Sequence, residues 1–308
     1  MRIASLLASG TELVCALGAG DSLVARSHEC DYPEWVRRLP ALSRPTFDTS
    51  LGSRQIDMLV KARLRAGQPL YEVDQALLAG LAPDVLITQT HCEVCAVTPA
   101  DLNQESALNL TRRPVVALAT GTLDGILEGF LNVAGVIDRR EAGEELVRGI
   151  RRRLATIQEE TRPLPSPTIV CLEWIDPLFG MGNWGPELLA YAGGSELLGA
   201  PGKHSAAARW EDVLRADPDV LLVAPCGFGM DRTLAEMPIL ANKPGWNDLQ
   251  AVRSGRVVVA DGNRYFHRSG PSILETAEIL AEILHPQVFA PRHQNHGWQS
   301  YPSRHGAH

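Results

Sequence analysis

The residues of this chain best equipped for chemistry are thiols and imidazoles placed just behind short apolar runs. Cys92-Glu93-Val94-Cys95 is a C-x-x-C step that follows the run Val85–Gln89, with His91 beside it. Cys30 follows Leu23–Arg26, and His28 stands two residues before it. Cys226 stands seven residues after Asp219, nearly matching the eight from Asp84 to Cys92. Thiolate and imidazole together make ligand sets for zinc, cuprous copper or an iron–sulfur centre, so Cys30, Cys92, Cys95 and His91 form a candidate metal set. Two other uses of the same residues stay open. Cys92 and Cys95 could form a redox pair, one thiolate being stabilised by a following helix. Equally, the thiols could be buried as small hydrophobes, the common fate of unpaired cysteine and the one expected for Cys15 and Cys171.

Chemistry at those positions depends on what holds them, and the chain carries its scaffold twice. The stretch Leu77–Thr88, with Ala82-Pro83-Asp84-Val85-Leu86-Ile87 at its centre, returns as Val213–Val223 with Asp217-Pro218-Asp219-Val220-Leu221-Leu222. Each copy is preceded by an apolar strand, a turn and a helix ending in glycine, over Arg2–Gly18 and Thr168–Gly194. Each is followed by a second apolar run behind a basic residue, Arg113–Ala119 and Arg256–Ala260. Strands alternating with helices predict parallel sheets with helices on their faces. The fold class expected is therefore α/β, two similar parallel-sheet lobes joined by one long backbone helix, with a ligand cleft between them.

The predicted boundaries are an N-terminal lobe over 1–121, a linking segment over 122–162, a C-terminal lobe over 163–286 and a disordered tail over 287–308. Within the linker, Asp138-Arg139-Arg140-Glu141 has the form of a capping box. Ala142, Leu146, Ile150, Leu154 and Ile157 then fall on one helical face up to Thr161-Arg162-Pro163. The tail scatters His293, His296, His305 and His308 among Pro, Gly, Ser and Gln, a composition unable to bury a core by itself.

Composition excludes several classes of function. The 308 residues are 45% hydrophobic and 21% charged, with a net charge of −7. No basic stripe, zinc-finger spacing or RNA-binding aromatic motif supports a nucleic-acid partner. No apolar run approaches the ~20 residues that span a bilayer. Met1-Arg2 leads straight into Ile3-Ala4-Ser5-Leu6-Leu7, too short a run for a signal-peptide core. As written, the chain is expected to be cytoplasmic, or periplasmic or cell-surface if the sequence is a trimmed mature form. Gly180-Met181-Gly182-Asn183-Trp184-Gly185 matches G-x-G-x-x-G, but Pro186 follows and no acid stands about 20 residues on, so dinucleotide binding is not expected. No G-x-S-x-G, H-E-x-x-H or Walker A pattern occurs, and no enzyme activity is expected.

Taken in order, Arg2-Ile3-Ala4-Ser5-Leu6, Thr11-Glu12-Leu13, Asp31-Tyr32-Pro33, the two Pro-Asp-Val-Leu strands and Tyr191-Ala192-Gly193-Gly194 resemble the class III periplasmic binding proteins. These serve ABC importers of cobalamin, haem and iron–siderophores, and the nearest likeness is to the cobalamin-binding branch, over about residues 2–286. The resemblance implies cobalamin or a related corrinoid or metal chelate as ligand, an ABC permease as a candidate partner, and binding without turnover. It also implies ligand loops at the carboxyl ends of the strands, as the general rule for open parallel sheets requires. Ligand-facing candidates there are Ser9, Thr11, His28, Gln89, Trp174, Asp176, Trp184, Phe228, Tyr265, Phe266 and Arg268. The aromatics would supply flat surface and the arginine a polar contact at the rim. A histidine or thiolate could also reach the metal of such a chelate. By position, Asp74 and Glu211 resemble the acidic residues with which the family docks onto permease arginines. The rival reading is a cytosolic thiol enzyme or metal sensor working through Cys30, Cys92 and Cys95.

Overall fold

The computed structural model describes residues 1–90, 96–97, 114–118 and 121–302. In chain order the strands are β1 Ile3–Ser5, β2 Leu23–Ala25, β3 Ser43–Pro45, β4 Tyr71–Val73, β5 Val85–Gln89, β6 Val115–Leu118, β7 Thr168–Trp174, β8 Phe179–Gly180, β9 Ser195–Glu196, β10 Val220–Val223, β11 Val257–Ala260 and β12 Trp298–Ser300. The α-helices are α1 Ala8–Ala16, α2 Ser53–Arg65, α3 Gln75–Leu81, α4 Leu123–Val136, α5 Arg140–Thr161, α6 Gly185–Tyr191, α7 Trp210–Ala216, α8 Met230–Ala241, α9 Gln250–Arg253 and α10 Ile273–Leu284. They group into two compact units. One comprises Met1–Leu51, Met58–Ile150 and Ser269–Pro271; the other comprises Gly52–Asp57, Arg151–Arg268 and Ser272–His308.

The first unit is built on a parallel sheet in the order β2-β1-β5-β6, with Ile3 opposite both Leu23 and Val85. β5 is buried along its whole length, as a strand covered on both faces must be. Its core gathers Ala4, Leu6, Ala25, Leu42, Leu78, Leu86 and Val97. α3 packs Leu78 into that core and is capped at its start by Asp74, whose carboxylate accepts the Leu77 N–H at 2.9 Å. A small antiparallel pair, β3-β4, lies apart from the main sheet.

The second unit repeats the plan with additions. Its sheet runs β12-β11-β10-β7-β8, with β9 pairing β7. β7, β9, β10 and β11 are parallel, but the edge strands β8 and β12 are antiparallel, a departure from the purely parallel expectation. The turn Ile175–Leu178 is too short for a crossover, so β8 must return beside β7 as a hairpin. β12 comes from the segment beyond Gln287. That segment was expected to be disordered and instead joins the sheet, its Trp298 opposite Ala260 and buried.

Three tryptophan and tyrosine rings close one side of this unit. Trp210 stacks on Trp246 at 6.2 Å, Trp246 meets Tyr301 edge-on, and the Trp210 Nε1–H donates to the Pro244 carbonyl at 2.7 Å. Trp210→Ala removes a buried ring and leaves that carbonyl without its donor. It should cost about 3–5 kcal/mol in a urea unfolding titration, and a loss below about 1 kcal/mol would refute this packing account.

The long helix α5 fits its sequence periodicity, with Val147, Ile150, Leu154, Ile157 and Thr161 buried at helical spacing. Its start differs from the expected capping box. Asp138 has φ 57, in the left-handed region, and Arg139 N–H bonds back to the Ala134 carbonyl at 2.7 Å. The acid therefore belongs to the termination of α4, where short polar side chains tolerate the left-handed conformation. No helix among the described residues is long and apolar enough to cross a membrane.

Candidate functional site

At the carboxyl edge of the first unit, the loops after β1, β2 and β5 hold the predicted residues. Ser9 and Thr11 fall in the first turns of α1 and are buried. Thr11 Oγ1 lies 3.0 Å from Cys30 Sγ, and the Ser27 N–H donates to the same sulfur at 3.3 Å. Cys30 is only 1% exposed, and burial pushes its thiol above the ordinary range, which opposes the thiolate a metal or redox role needs. Gln89 is turned inward, its side-chain amide donating to the Ala96 carbonyl at 3.1 Å, while Thr88 Oγ1 donates to the Val97 carbonyl. His91, Cys92 and Cys95 lie outside the described residues. Among the described residues, no cluster of three His, Cys, Asp or Glu side chains is arranged to hold a metal ion.

His28 is partly open at this edge. Its Nδ1 is 3.0 Å from Ser43 Oγ, its ring tilts against Tyr71 at 5.3 Å, and its Nε2 is 3.9 Å from a Glu29 oxygen. Burial, with help from the Arg26 charge, lowers its pKa to about 4, so the ring is neutral at ordinary pH.

The carboxyl edge of the second unit is more aromatic. Trp174 ends β7 half-buried and meets Phe228 edge-on at 5.2 Å. Phe228 is 1% exposed, and the Arg232 guanidinium lies 3.6 Å from its ring centroid. Phe228 is thus a support beneath Trp174 and Arg232. Phe266 and Trp184 are also buried, Trp184 at the entry to α6. Asp176 is half-buried in the turn to β8. Cys226 is exposed, and its N–H donates to the Glu173 carbonyl at 3.0 Å.

After β11 the chain makes a π-helical turn, Gly262–Phe266, a wide form concentrated at functional sites. Asp261 caps it by accepting the Arg264 N–H at 2.7 Å. Arg264 lies 5.1 Å from the Tyr265 ring centroid, and buried Arg268 donates to Asn263 Oδ1 at 3.4 Å. Of the predicted aromatics in this unit, the structure brings Trp174 and Phe228 into contact. Tyr265 instead meets His293 edge-on at 6.3 Å. Sequence reasoning missed Arg232, although its place four residues after Phe228, at a helix start, was the available signal.

Elsewhere in this unit, Glu196 at the end of β9 accepts N–H bonds from Cys171, Leu198 and Gly199. Burial nonetheless dominates and raises its pKa to about 7.

The family described as "Periplasmic binding protein" matches residues 3–263, most of the chain. The chain belongs to that family. It is 23% identical over 265 residues to the molybdate-binding protein MolA of Haemophilus influenzae, covering 83% of this chain and 70% of that protein. It is 22% identical over 253 residues to a vitamin B12-binding protein of Vibrio campbellii, covering 80% of each. Its fold superposes on a periplasmic heme binding protein from Pseudomonas aeruginosa with a TM-score of 0.70 at 20% identity, covering 93% of both chains. Family and structure together establish the class III periplasmic-binding fold and a substrate-binding rather than enzymatic class. They also overturn the expectation of cytoplasmic residence: the family is periplasmic, and a run of residues too short for a signal-peptide core does not outweigh that membership.

Proposed function

We propose that this substrate-binding protein takes cobalamin or a related corrinoid or metal chelate and delivers it to an ABC permease. The observation that carries the reading is the half-buried Trp174 ring at the carboxyl edge of its sheet, met edge-on by Phe228, whose own ring carries the Arg232 guanidinium. A planar indole, with an arginine on the ring that supports it, suits a macrocycle bearing amide, phosphate or carboxylate groups at its rim. The kinship to vitamin B12-binding proteins supports the same class of ligand. The rival thiol mechanism is not carried forward, because Cys30 is buried and engaged by Thr11 and Ser27.

For docking, Glu211 is exposed in the first turn of α7 and Asp74 is exposed at the start of α3, each ahead of a repeated strand. Paired with permease arginines, the two would steer and orient the complex.

The test is a visible-absorbance titration with cyanocobalamin and haemin, beside calorimetry with molybdate. One equivalent of either chelate should shift the spectrum, and Trp174→Ala should weaken that binding at least tenfold. Heat of binding for molybdate with no spectral response to either chelate would overturn the reading.

A further inference from the structure

The segment beyond residue 263, past the reach of the family match, contains a buried carboxylate with an unusual set of partners. Glu282 lies on α10 and is 3% exposed. A buried carboxylate is tolerated only when its oxygens are well supplied with donors. Here the donors come from one short stretch. The Arg292 N–H donates at 3.0 Å, the His293 N–H at 3.1 Å to the other oxygen, and the Trp298 Nε1–H at 2.8 Å. His293 Nδ1 lies 2.7 Å from Oε1. The turn Arg292–Trp298, whose composition cannot form a core, is folded around this one side chain.

That turn in turn grips the loop after β11. The Gly297 carbonyl accepts the Asp261 N–H at 2.9 Å, and Asp261 is the residue whose carboxylate caps the π-helical turn. Trp298, Gln299 and Ser300 pair with Ala260, Val259 and Val258, fixing the strand that delivers the loop. His293, held at its Nδ1 by Glu282, presents its ring to Tyr265. From α10 itself, Thr276 Oγ1 donates to the Tyr265 carbonyl at 2.9 Å. The first residue of the loop and its aromatic are therefore both set by the C-terminal segment.

We infer that Glu282 is a positioning residue for ligand binding: through the Arg292–Ser300 segment it fixes Asp261–Arg268 in the shape that meets the ligand. This rests on the reading that the loop belongs to the chelate site. The experiment uses the full chain with Glu282→Ala and the milder Trp298→Phe, which loses a single donor and keeps an aromatic ring. Amide hydrogen exchange is followed beside cyanocobalamin and haemin affinity. In Glu282→Ala, amides within 261–268 should exchange at least tenfold faster while those of β7 and β10 hold, and affinity should fall at least tenfold. Trp298→Phe should shift both readouts in the same direction by less, and it decides the matter if Glu282→Ala does not fold. Faster exchange confined to 292–302 would overturn the proposal, as would a loosened loop with unchanged affinity. If neither probe binds the unaltered protein, the chelate reading falls, while the exchange pattern still decides whether Glu282 sets the loop.

Discussion

Gly262→Ala should cost about 3 kcal/mol of stability and weaken chelate binding at least tenfold. A Cβ at this position would lie 2.1 Å from the Pro225 carbonyl oxygen and 2.8 Å from the Ala224 carbonyl carbon and oxygen. All of these are backbone atoms at the exit of β10, so no rotamer change relieves the clash. The loops leaving β10 and β11 must separate, and Asn263 N–H loses its alignment with the Phe228 carbonyl, now at 3.0 Å. Since Phe228 supports Trp174, the displacement reaches the proposed ligand surface directly. Gly80→Ala is the control. That glycine lies in the helix α3 with nothing within 4 Å of a Cβ, and the change should stabilise by about 0.5–1 kcal/mol. Urea unfolding of both variants and a chelate titration of the first make the check; an unchanged midpoint for Gly262→Ala would show that the two exits are not in contact.

The second large effect is a pH response with opposite signs at two sites. His28 falls from the ordinary 6.5 to about 4 on folding because burial disfavours its charged form. The unfolded chain therefore binds a proton first as pH drops. The contribution of His28 is whole above pH 6.5 and is lost as pH falls from there to about 4. It amounts to about 2–3 kcal/mol after allowance for a side chain that is 21% exposed. Glu196 rises from 4.5 to about 7, so its contribution is whole below pH 4.5 and is lost as pH climbs to about 7. Between pH 4.5 and 6.5 the two oppose each other, and the parent protein should show a shallow profile. His28→Gln should lose much of the acid limb, keeping only what buried His285 with its lowered pKa contributes, while Glu196→Gln should lose the decline towards neutral pH. Denaturant midpoints at half-unit pH steps measure this, and an acid limb undiminished in His28→Gln would exclude His28 as a source of it.

Which parts of this molecule could be read from the chain depends on how local their causes are. The duplicated Pro-Asp-Val-Leu strands were legible because each carries a continuous apolar run bounded by a turn, and both appear as fully buried central strands, β5 and β10. The long helix was legible from its spacing, since one face of α5 must be covered wherever its partner comes from. The antiparallel edges β8 and β12 were not, because pairing direction depends on where the chain returns rather than on the residues that pair. The C-terminal segment was misread for the same reason. Its own residues cannot build a core, but Trp298 finds one already made, with Glu282 waiting for its indole N–H.

The candidate site divides in the same way. Sequence order and the strand-end rule by themselves determined which loops to inspect, because a parallel sheet exposes its carboxyl-end loops at one edge whatever their composition. They also determined the family, through motifs whose order survives at low identity. Only the tertiary structure decided what each side chain in those loops does. Phe228, Phe266, Trp184, Thr11 and Cys30 were chosen for chemical type, yet neighbours distant in the chain bury them, while Trp174 and His28 keep part of their surface. Burial is a sum over contacts from several elements, whereas residue type and spacing report on one element at a time. That difference is why the chain discloses where to look and the fold discloses which atoms are left to bind.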